Sequence, residues 1–233
     1  MSEELLWLDP AKVEVPSYLL ETYWWAYVNP AAVRIFERQW LVNSILWGNF
    51  GRLRDAALES LGDRPQGRTL QIACVYGDLT ERLSRRIPAG STLDVVDVLP
   101  VQLENLKRKL PPGAPVNVRL GDSASLGAAS ASYDRVLLFF LLHEQPDAVR
   151  RETLAEALRV VKPGGSIVIL DYHRPRLLHP LRWFMAKVLA RLEPFALDLW
   201  RGELTDWMPA RRWDLESKNT YFGGLYQRLV IRA

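Results

Sequence analysis

The sequence is poor in several features that define whole classes of protein. Its 233 residues include a single cysteine, Cys74, which excludes an internal disulfide framework and a multi-cysteine zinc site. No run of about 18 uncharged apolar residues occurs, so the sequence predicts no membrane-spanning helix. The acidic start MSEELLWLDP has no apolar core, and we therefore expect no signal peptide.

Neither sign of charge predominates in the sequence. The net charge is +3, without the clustered basicity of a dedicated nucleic-acid binder, so no nucleic-acid partner is expected. Nothing in the sequence indicates an obligate protein partner. With 48% hydrophobic and 24% charged residues, the composition is that of a globular protein.

Tryptophans divide the chain into regions. Residues 1–62 contain five of the nine, and they predict a helical lid or substrate region with helices at about 17–28, 30–47 and 51–61. These five are Trp7, Trp24, Trp25, Trp40 and Trp47. Residues 63–233 predict an α/β domain that an amphipathic insertion interrupts at about 173–220.

Short apolar runs alternate with helical patterns between residues 68 and 172. This alternation predicts a mostly parallel sheet with helices on both faces, a Rossmann-like α/β fold. The predicted strands are Thr69–Val75, Leu93–Val98, Val116–Leu120, Arg135–Leu141 and Ser166–Asp171. A turn is expected at Lys162–Gly165, and Tyr221–Arg232 is expected to close the sheet as a strand or hairpin.

Polar residues follow the predicted strand ends, where ligands bind in such sheets. Asp97 ends the second strand, and a carboxylate there suits the paired hydroxyls of a ribose. Gly121-Asp122-Ser123 follows the third strand, His143-Glu144 the fourth and Asp171-Tyr172-His173 the fifth. Asp78-Leu79-Thr80-Glu81 predicts a capping box for the next helix, with a cofactor contact as the alternative.

In this order, the motifs resemble the class I S-adenosylmethionine-dependent methyltransferases, over about residues 68–172. Gln71–Gly77 lies where that family has its glycine-rich loop, and Asp97 where it has its ribose carboxylate. The resemblance implies S-adenosylmethionine as the cofactor. It implies cofactor-binding roles for Ala73, Tyr76, Gly77, Asp97, Val98, Asp122, Ser123 and Phe140.

The glycine-rich loop departs from the family pattern. Gln71 replaces the usual acidic residue, and Ala73 and Val75 replace the first two glycines, so that only Gly77 is retained. Side chains at these positions are expected to displace or reorient the methionine part of the cofactor. Tyr76 adds a phenol beside the same spot. Ordinary methyl transfer is therefore doubtful.

Four further motifs are similar to the rhodoquinone biosynthesis family of purple bacteria and some anaerobic eukaryotes, over nearly the whole chain. They are Ile45–Asn49, Val75–Thr80, Gly202–Asp206 and Tyr221–Tyr226. The resemblance implies that an amino group replaces a ring methoxy group of ubiquinone, with S-adenosylmethionine as amino donor and Mn²⁺ assisting. Two alternatives remain: a conventional methyltransferase acting on a quinone or lipid, and a non-catalytic quinone- or membrane-binding protein.

Side chains near the strand ends suggest the chemistry. Tyr76, His143 and Glu144 are the expected catalytic residues. Glu144, Asp171 and His173 are the expected Mn²⁺ ligands, because imidazole together with carboxylates suits a divalent metal. Alternatively, His143 and Glu144 only line the pocket and Asp171 caps a loop, or Glu144 or His173 transfers protons.

The insertion mixes basic and apolar side chains. Its basic residues include Arg174, Arg176, Arg182, Lys187 and Arg191, among leucines, Trp183 and Phe184. A helix of this kind lies in a bilayer interface or packs on its own domain. Because a polyprenyl quinone is embedded in the membrane, we expect a cytoplasmic protein that associates peripherally with the inner membrane.

Overall fold

A mostly parallel sheet forms the centre of the computed structural model, which describes residues 14–28, 30–210 and 212–233. Its strands are β1 (Arg68–Ile72), β2 (Thr92–Asp97), β3 (Val116–Leu120), β4 (Tyr133–Phe139), β5 (Val161–Tyr172), β6 (Asp214–Tyr221) and β7 (Tyr226–Arg232). They lie in the order β3-β2-β1-β4-β5-β7-β6, and β7 runs antiparallel to both of its neighbours. The prediction of a Rossmann-like fold is confirmed.

Helices precede the sheet and alternate with its strands. They are α1 (Ser17–Thr22), α2 (Pro30–Phe36), α3 (Gln39–Ile45), α4 (Phe50–Leu61), α5 (Leu79–Arg86), α6 (Pro100–Lys109), α7 (Asp147–Val160), α8 (Arg182–Leu192) and α9 (Asp198–Arg201). One turn of π-helix, Trp24–Val28, separates α1 from α2. Within the described ranges, none of these helices is long and apolar enough to cross a membrane.

The apolar runs form strands because both faces of the sheet are covered. Leu70, Ile72 and Val136 are at most 1% exposed, as are Leu138 and Ile169 in the neighbouring strands. Burial of one such side chain stabilises the fold by about 1.5–3 kcal/mol. β1 pairs in parallel with both β2 and β4, so the ends of these three strands meet at one edge of the sheet.

The N-terminal region is helical, as predicted, but in shorter pieces. The predicted helix at 17–28 is α1 followed by the π-turn, and the predicted helix at 30–47 is divided into α2 and α3. The predicted lid also includes residues 1–13, with Trp7, and Asn29, all of which lie outside the described residues.

Two boundaries in the C-terminal half differ from the prediction. The expected turn at Lys162–Gly165 lies within β5, where Gly164 adopts a φ of 77° and the pairing with β4 changes register. The expected helical insertion at 173–220 ends in β6, an exposed edge strand paired with β7. Because β6 is polar, with only Leu215 and Tyr221 as large apolar residues, its sequence lacks the strand pattern.

Candidate active site

The carboxyl ends of β1, β2 and β3 and the loop after β4 enclose a narrow pocket of about 60 Å³. Six of the eight predicted cofactor residues line it: Ala73, Asp97, Val98, Asp122, Ser123 and Phe140. Tyr18 and Leu19 of α1 also line it. A space of this size holds a few water molecules and is smaller than a nucleoside, so part of the wall would have to move to admit one.

Asp97 provides a buried carboxylate at the end of β2. Its Oδ2 accepts a hydrogen bond from the Cys74 N–H at 2.7 Å, and its Oδ1 accepts one from the Leu99 N–H at 2.8 Å. Burial raises the pKa of Asp97 to about 6, against the opposing effect of these bonds. The group is therefore mainly ionised at neutral pH. Asp97 and Asp122 thus place two carboxyl groups on the wall of the narrow pocket, where they suit the hydroxyl and amino groups of an adenosine.

The loop after β1 begins with a strained alanine. Ala73, which takes the place of the first family glycine, has a φ of 70°, in the left-handed region that favours glycine. Gly77 has a φ of 83°, and a Cβ there would lie only 2.6 Å from the Phe50 ring. Gly77 is thus required by both its conformation and its surroundings, whereas Ala73 stores strain.

Replacing Ala73 with glycine is expected to increase the free energy of unfolding by about 0.5–1 kcal/mol, because glycine relieves left-handed strain. Urea denaturation measures the change. Ala190→Gly, on an exposed position within α8, is the matched control and is expected to lose about 1 kcal/mol. If both variants lose stability equally, the left-handed conformation of Ala73 is not strained.

The same loop is clamped by the N-terminal helices. The Tyr76 hydroxyl donates to the Ala26 carbonyl at 2.7 Å and accepts from Gln102 Nε2 at 2.9 Å. Glu37 accepts from the Gly77 N–H at 3.2 Å and from Lys109 Nζ at 2.7 Å. The backbone N–H of Gly77 is therefore already hydrogen-bonded to the Glu37 side chain.

Tyr76, predicted as catalytic and cofactor-binding, lies outside the narrow pocket and lines a neighbouring cavity. Burial raises the pKa of its phenol far above the ordinary value, so it is neutral at physiological pH. Gly77 lines neither space. Its role is to permit the loop conformation.

Asp78 precedes α5 at the N-cap position, but its side chain makes no capping hydrogen bond, so the capping-box prediction is wrong. Its carboxylate instead accepts hydrogen bonds from Arg54 at 2.8 Å and from Arg82 at 2.5 Å. Although burial opposes the shift, these guanidinium groups lower the pKa of Asp78. Asp78 ties α4 to α5 and lines neither cavity.

An apolar cavity of about 510 Å³ adjoins the narrow pocket. Its walls come from the N-terminal helices, the loops after β1 and β4, and α8. The two spaces share Cys74, Gln102, Phe140 and Glu144. Because of these shared walls, ligands in the two spaces would meet beside Glu144. Burial raises the pKa of Cys74 well above its usual value, which disfavours a reactive thiolate.

His143 is a buried cation on the wall of this cavity. Its Nδ1 lies 2.9 Å from Oδ1 of Asp171, and its Nε2 lies 3.8 Å from Oε1 of Glu144. Burial alone would lower the pKa of His143, but the Asp171 carboxylate, with smaller effects of Glu193 and Glu144, raises it to about 9. The imidazole is therefore protonated at neutral pH and presents an N–H donor at Nε2, beside Glu144 on the cavity wall.

The raised pKa of His143 makes stability depend on pH. Because the folded pKa of about 9 lies above the unfolded value of 6.5, the stabilisation is complete below pH 6.5 and is lost as the pH rises towards 9. The expected loss is on the order of 3 kcal/mol. Urea denaturation between pH 6 and pH 9 measures it. His143→Gln is expected to flatten this slope, and an equal slope in both proteins would contradict the assignment.

The three predicted Mn²⁺ ligands do not converge. Asp171 accepts N–H groups of Leu142 at 2.8 Å and Tyr172 at 2.7 Å. His173 lines a separate surface groove, where its Nδ1 lies 2.8 Å from the Gly224 carbonyl. Among residues 14–28, 30–210 and 212–233, no three His, Cys, Asp or Glu side chains are placed to hold one ion. The geometry does not fit the predicted manganese site and favours the alternative that Asp171 caps a loop.

Two ionisable residues near the site escaped the sequence prediction. Glu193, after α8, lines the apolar cavity, and burial raises its pKa. Arg150 is completely buried and donates to the carbonyl groups of Leu142, Gln145 and Phe195, each at 2.9 Å. An arginine on the apolar face of α7, four residues before Leu154, was the available signal.

The sheet and its covering helices form the Rossmann-like fold of the class I S-adenosylmethionine-dependent methyltransferases. Residues 69–165 match the family model described as a methyltransferase domain. The structure is also similar to that of the cyclase SpnF, with a TM-score of 0.60 and 18% identity, over 78% of this chain and 80% of that one.

More particularly, two curated proteins to which the chain is similar are named as quinone methyltransferases. The chain is 28% identical to the ubiquinone/menaquinone biosynthesis C-methyltransferase of Geotalea daltonii, over 58% of this chain and 60% of that protein. It is 31% identical to the demethylmenaquinone methyltransferase of Staphylococcus aureus, over 53% of this chain and 51% of that protein. The matches thus span little more than half the length of these relatives.

Proposed function

We propose that the protein replaces a ring methoxy group of ubiquinone with an amino group and so forms rhodoquinone. The observation that carries this proposal is the first loop, where Ala73 is strained, Glu37 occupies the Gly77 N–H and the N-terminal helices hold Tyr76. A loop closed in this way is expected to turn the methionine part of a bound cofactor from its usual position. The amine, instead of the methyl group, would then face the cavity.

The residues around the narrow pocket would hold the cofactor. Asp97 would bind the ribose hydroxyls, with Asp122 and Ser123 near the adenine. The α-amine of S-adenosylmethionine would form the new carbon–nitrogen bond to the ring as the methoxy group leaves as methanol. The bond between this nitrogen and Cα of the cofactor would then break by transfer of two electrons to the quinone ring and hydrolysis by water, which would leave the aminated ring in its reduced form and release the cofactor carbon skeleton as a 2-oxo acid. Tyr18 and Leu19 would have to shift with α1 to admit the cofactor.

His143 and Glu144 would carry the proton chemistry. Protonated His143 would donate to a quinone carbonyl and stabilise the negative charge that develops on its oxygen. Glu144, on the wall shared by both spaces, would accept the proton released as the carbon–nitrogen bond forms. Asp171 would hold the imidazole by its Nδ1. Since the described residues do not fit a manganese site, no step is assigned to a metal.

An apolar acceptor suits the large cavity and its rim. Trp40, Ile45, Trp47 and Phe184 are 39–64% exposed at or near this rim, and such exposed apolar groups mark membrane or ligand contacts. We therefore propose that ubiquinone reaches the cavity from the bilayer. The protein would then lie peripherally on the inner membrane, on its cytoplasmic side.

Conventional C-methylation of a quinone is the second candidate. The observation in its favour is the similarity to relatives named as quinone C-methyltransferases. Both functions use the same cofactor and an apolar acceptor, and they differ in which group of the cofactor faces the cavity.

Labelled S-adenosylmethionine separates the two candidates. The purified protein is incubated with short-tailed ubiquinone and a cofactor labelled differently at its amino nitrogen and methyl carbon, with and without Mn²⁺. Mass spectrometry of the quinone is expected to show the nitrogen label and the loss of one methoxy group. Methyl label in the product would overturn amino transfer, and neither label with no measurable cofactor affinity would indicate a non-catalytic binding protein.

A further inference from the structure

A second concave region lies on the connection between β5 and α8. This groove of about 500 Å³ shares no lining residue with the apolar cavity. Its polar and charged lining residues are His173, Arg174, Arg176, Arg182, Glu203 and Thr220. We call it the basic groove. The reaction proposed above uses none of these residues.

The basic groove has an excess of positive charge. Within the described part of the chain, the guanidinium groups of Arg174, Arg176 and Arg182 have no carboxylate within 4.0 Å. Arg182 donates a hydrogen bond to the Pro175 carbonyl at 2.6 Å. The one acidic residue, Glu203, forms an ion pair with Lys218. The groove therefore fits an anion.

Exposed apolar side chains lie beside these arginines. Leu177 is 80% exposed and Leu178 is 97% exposed, directly after Arg176, while Trp183 is 78% exposed directly after Arg182. Apolar groups this exposed contribute nothing to the core. Their alternation with basic residues is typical of segments that lie at a membrane surface.

The same helix connects the groove with the cavity mouth. Arg182 begins α8 and lines the basic groove, whereas Phe184, Val188 and Leu192 line the apolar cavity. A phosphate bound in the groove would thus place α8 at the level of the lipid headgroups. The cavity wall formed by this helix would then lie next to the hydrocarbon region.

We propose that the basic groove binds the phosphate of an anionic phospholipid, with Leu177, Leu178 and Trp183 inserted beside it, so that the apolar cavity opens towards the bilayer. This inference rests on the proposed function in that a membrane-embedded acceptor explains the orientation. A soluble phosphorylated ligand would need the arginines but not the leucines.

Vesicle flotation tests this directly. The full chain is mixed with phosphatidylcholine vesicles with or without phosphatidylglycerol, and bound protein is quantified. We expect binding to require phosphatidylglycerol. Arg174→Gln with Arg176→Gln is expected to weaken binding at least about tenfold. Arg85→Gln with Lys107→Gln removes the same charge on α5 and α6 and is expected to change binding much less.

A second pair of variants makes the result independent of net charge. Leu177→Ser with Leu178→Ser leaves the charge unchanged and is expected to weaken vesicle binding at least about fivefold. Equal binding of this pair and the wild type would overturn the proposal, as would equal losses in the two charge-removing pairs. If inorganic phosphate raises the melting temperature through the arginines while vesicles do not bind, the ligand is a soluble phosphate and the lipid proposal is wrong.

This test is separate from the proposed chemistry, because flotation requires no turnover. With short-tailed ubiquinone in detergent, the arginine pair is expected to retain the wild-type rate. Vesicle binding without amino transfer would therefore refute the proposed function only. Amino transfer without specific vesicle binding would refute the lipid site only.

Discussion

Replacing His143 with glutamine is expected to reduce the rate of quinone conversion by about 10²- to 10⁴-fold, the range typical of losing a positioned proton donor. Glutamine keeps a polar group of similar reach but cannot carry the positive charge. Because the proposed active form is the imidazolium with a pKa of about 9, the wild-type rate is expected to fall as the pH rises through that value. Steady-state rates with short-tailed ubiquinone from pH 6 to pH 10 measure both effects.

The control for this variant is His179→Gln. His179 contacts Phe222 and accepts the Leu181 N–H, and it lines neither the narrow pocket nor the apolar cavity. Its replacement is expected to leave the rate within about threefold of wild type. Cofactor affinity of His143→Gln is expected to stay near that of the wild type. If His143→Gln retains more than half of the rate, His143 has no role in the reaction.

Replacing Arg150 with methionine is expected to lower the free energy of unfolding by about 3–5 kcal/mol. Arg150 is fully buried, and its loss leaves the carbonyl groups of Leu142, Gln145 and Phe195 without these donors. Part of the cost is offset because a buried cation is removed. Urea denaturation of both proteins under the same conditions measures the difference.

The adjacent arginine supplies a matched control. Arg151 is half-exposed and pairs with Asp147 four residues earlier in α7. Arg151→Met is expected to cost at most about 1 kcal/mol. Arg150 also positions the loop that carries His143. The fraction of Arg150→Met that remains folded is therefore expected to have lower activity as well. Similar stability losses in the two variants would show that the buried hydrogen bonds are weak.

The central strands β1, β2, β4 and β5 were predictable because each contains a buried apolar run, and β3 because its apolar residues alternate with polar ones. Val116–Leu120 is β3 to the residue, and the other parallel strands differ by a few residues at their ends. The first predicted strand extended to Val75, whereas β1 ends at Ile72 because the chain turns at left-handed Ala73. Such a turn is hidden when alanine stands where glycine is usual. The polar edge strand β6 was missed because it buries little.

The sequence predicts which residues follow the ends of the strands, but it does not predict the direction in which their side chains point. Positions such as Asp97 and Asp122 follow from topology, since parallel strands end at one edge. Asp171 and His173 are close in sequence, but Asp171 turns to the loop after β4 while the backbone N–H of His173 binds Leu225 beside β7. The two side chains point to different places because β5 pairs with β7, a long-range pairing that the local sequence does not show. The contribution of α1 to the pocket likewise arises from long-range packing.

The charged state of His143 has a consequence for the redox state of the acceptor. As an imidazolium, the ring is a donor at both nitrogens. Asp171 faces Nδ1 at 2.9 Å, whereas the Glu144 carboxylate lies 3.8 Å from Nε2, too far for a hydrogen bond, so Nε2 still needs an acceptor. The carbonyl oxygen of an oxidised quinone meets that need, whereas a quinol brings a competing O–H donor. On the proposed assignment, the enzyme takes the oxidised form of its substrate preferentially. Its output then follows the oxidation level of the quinone pool, with no separate sensor required.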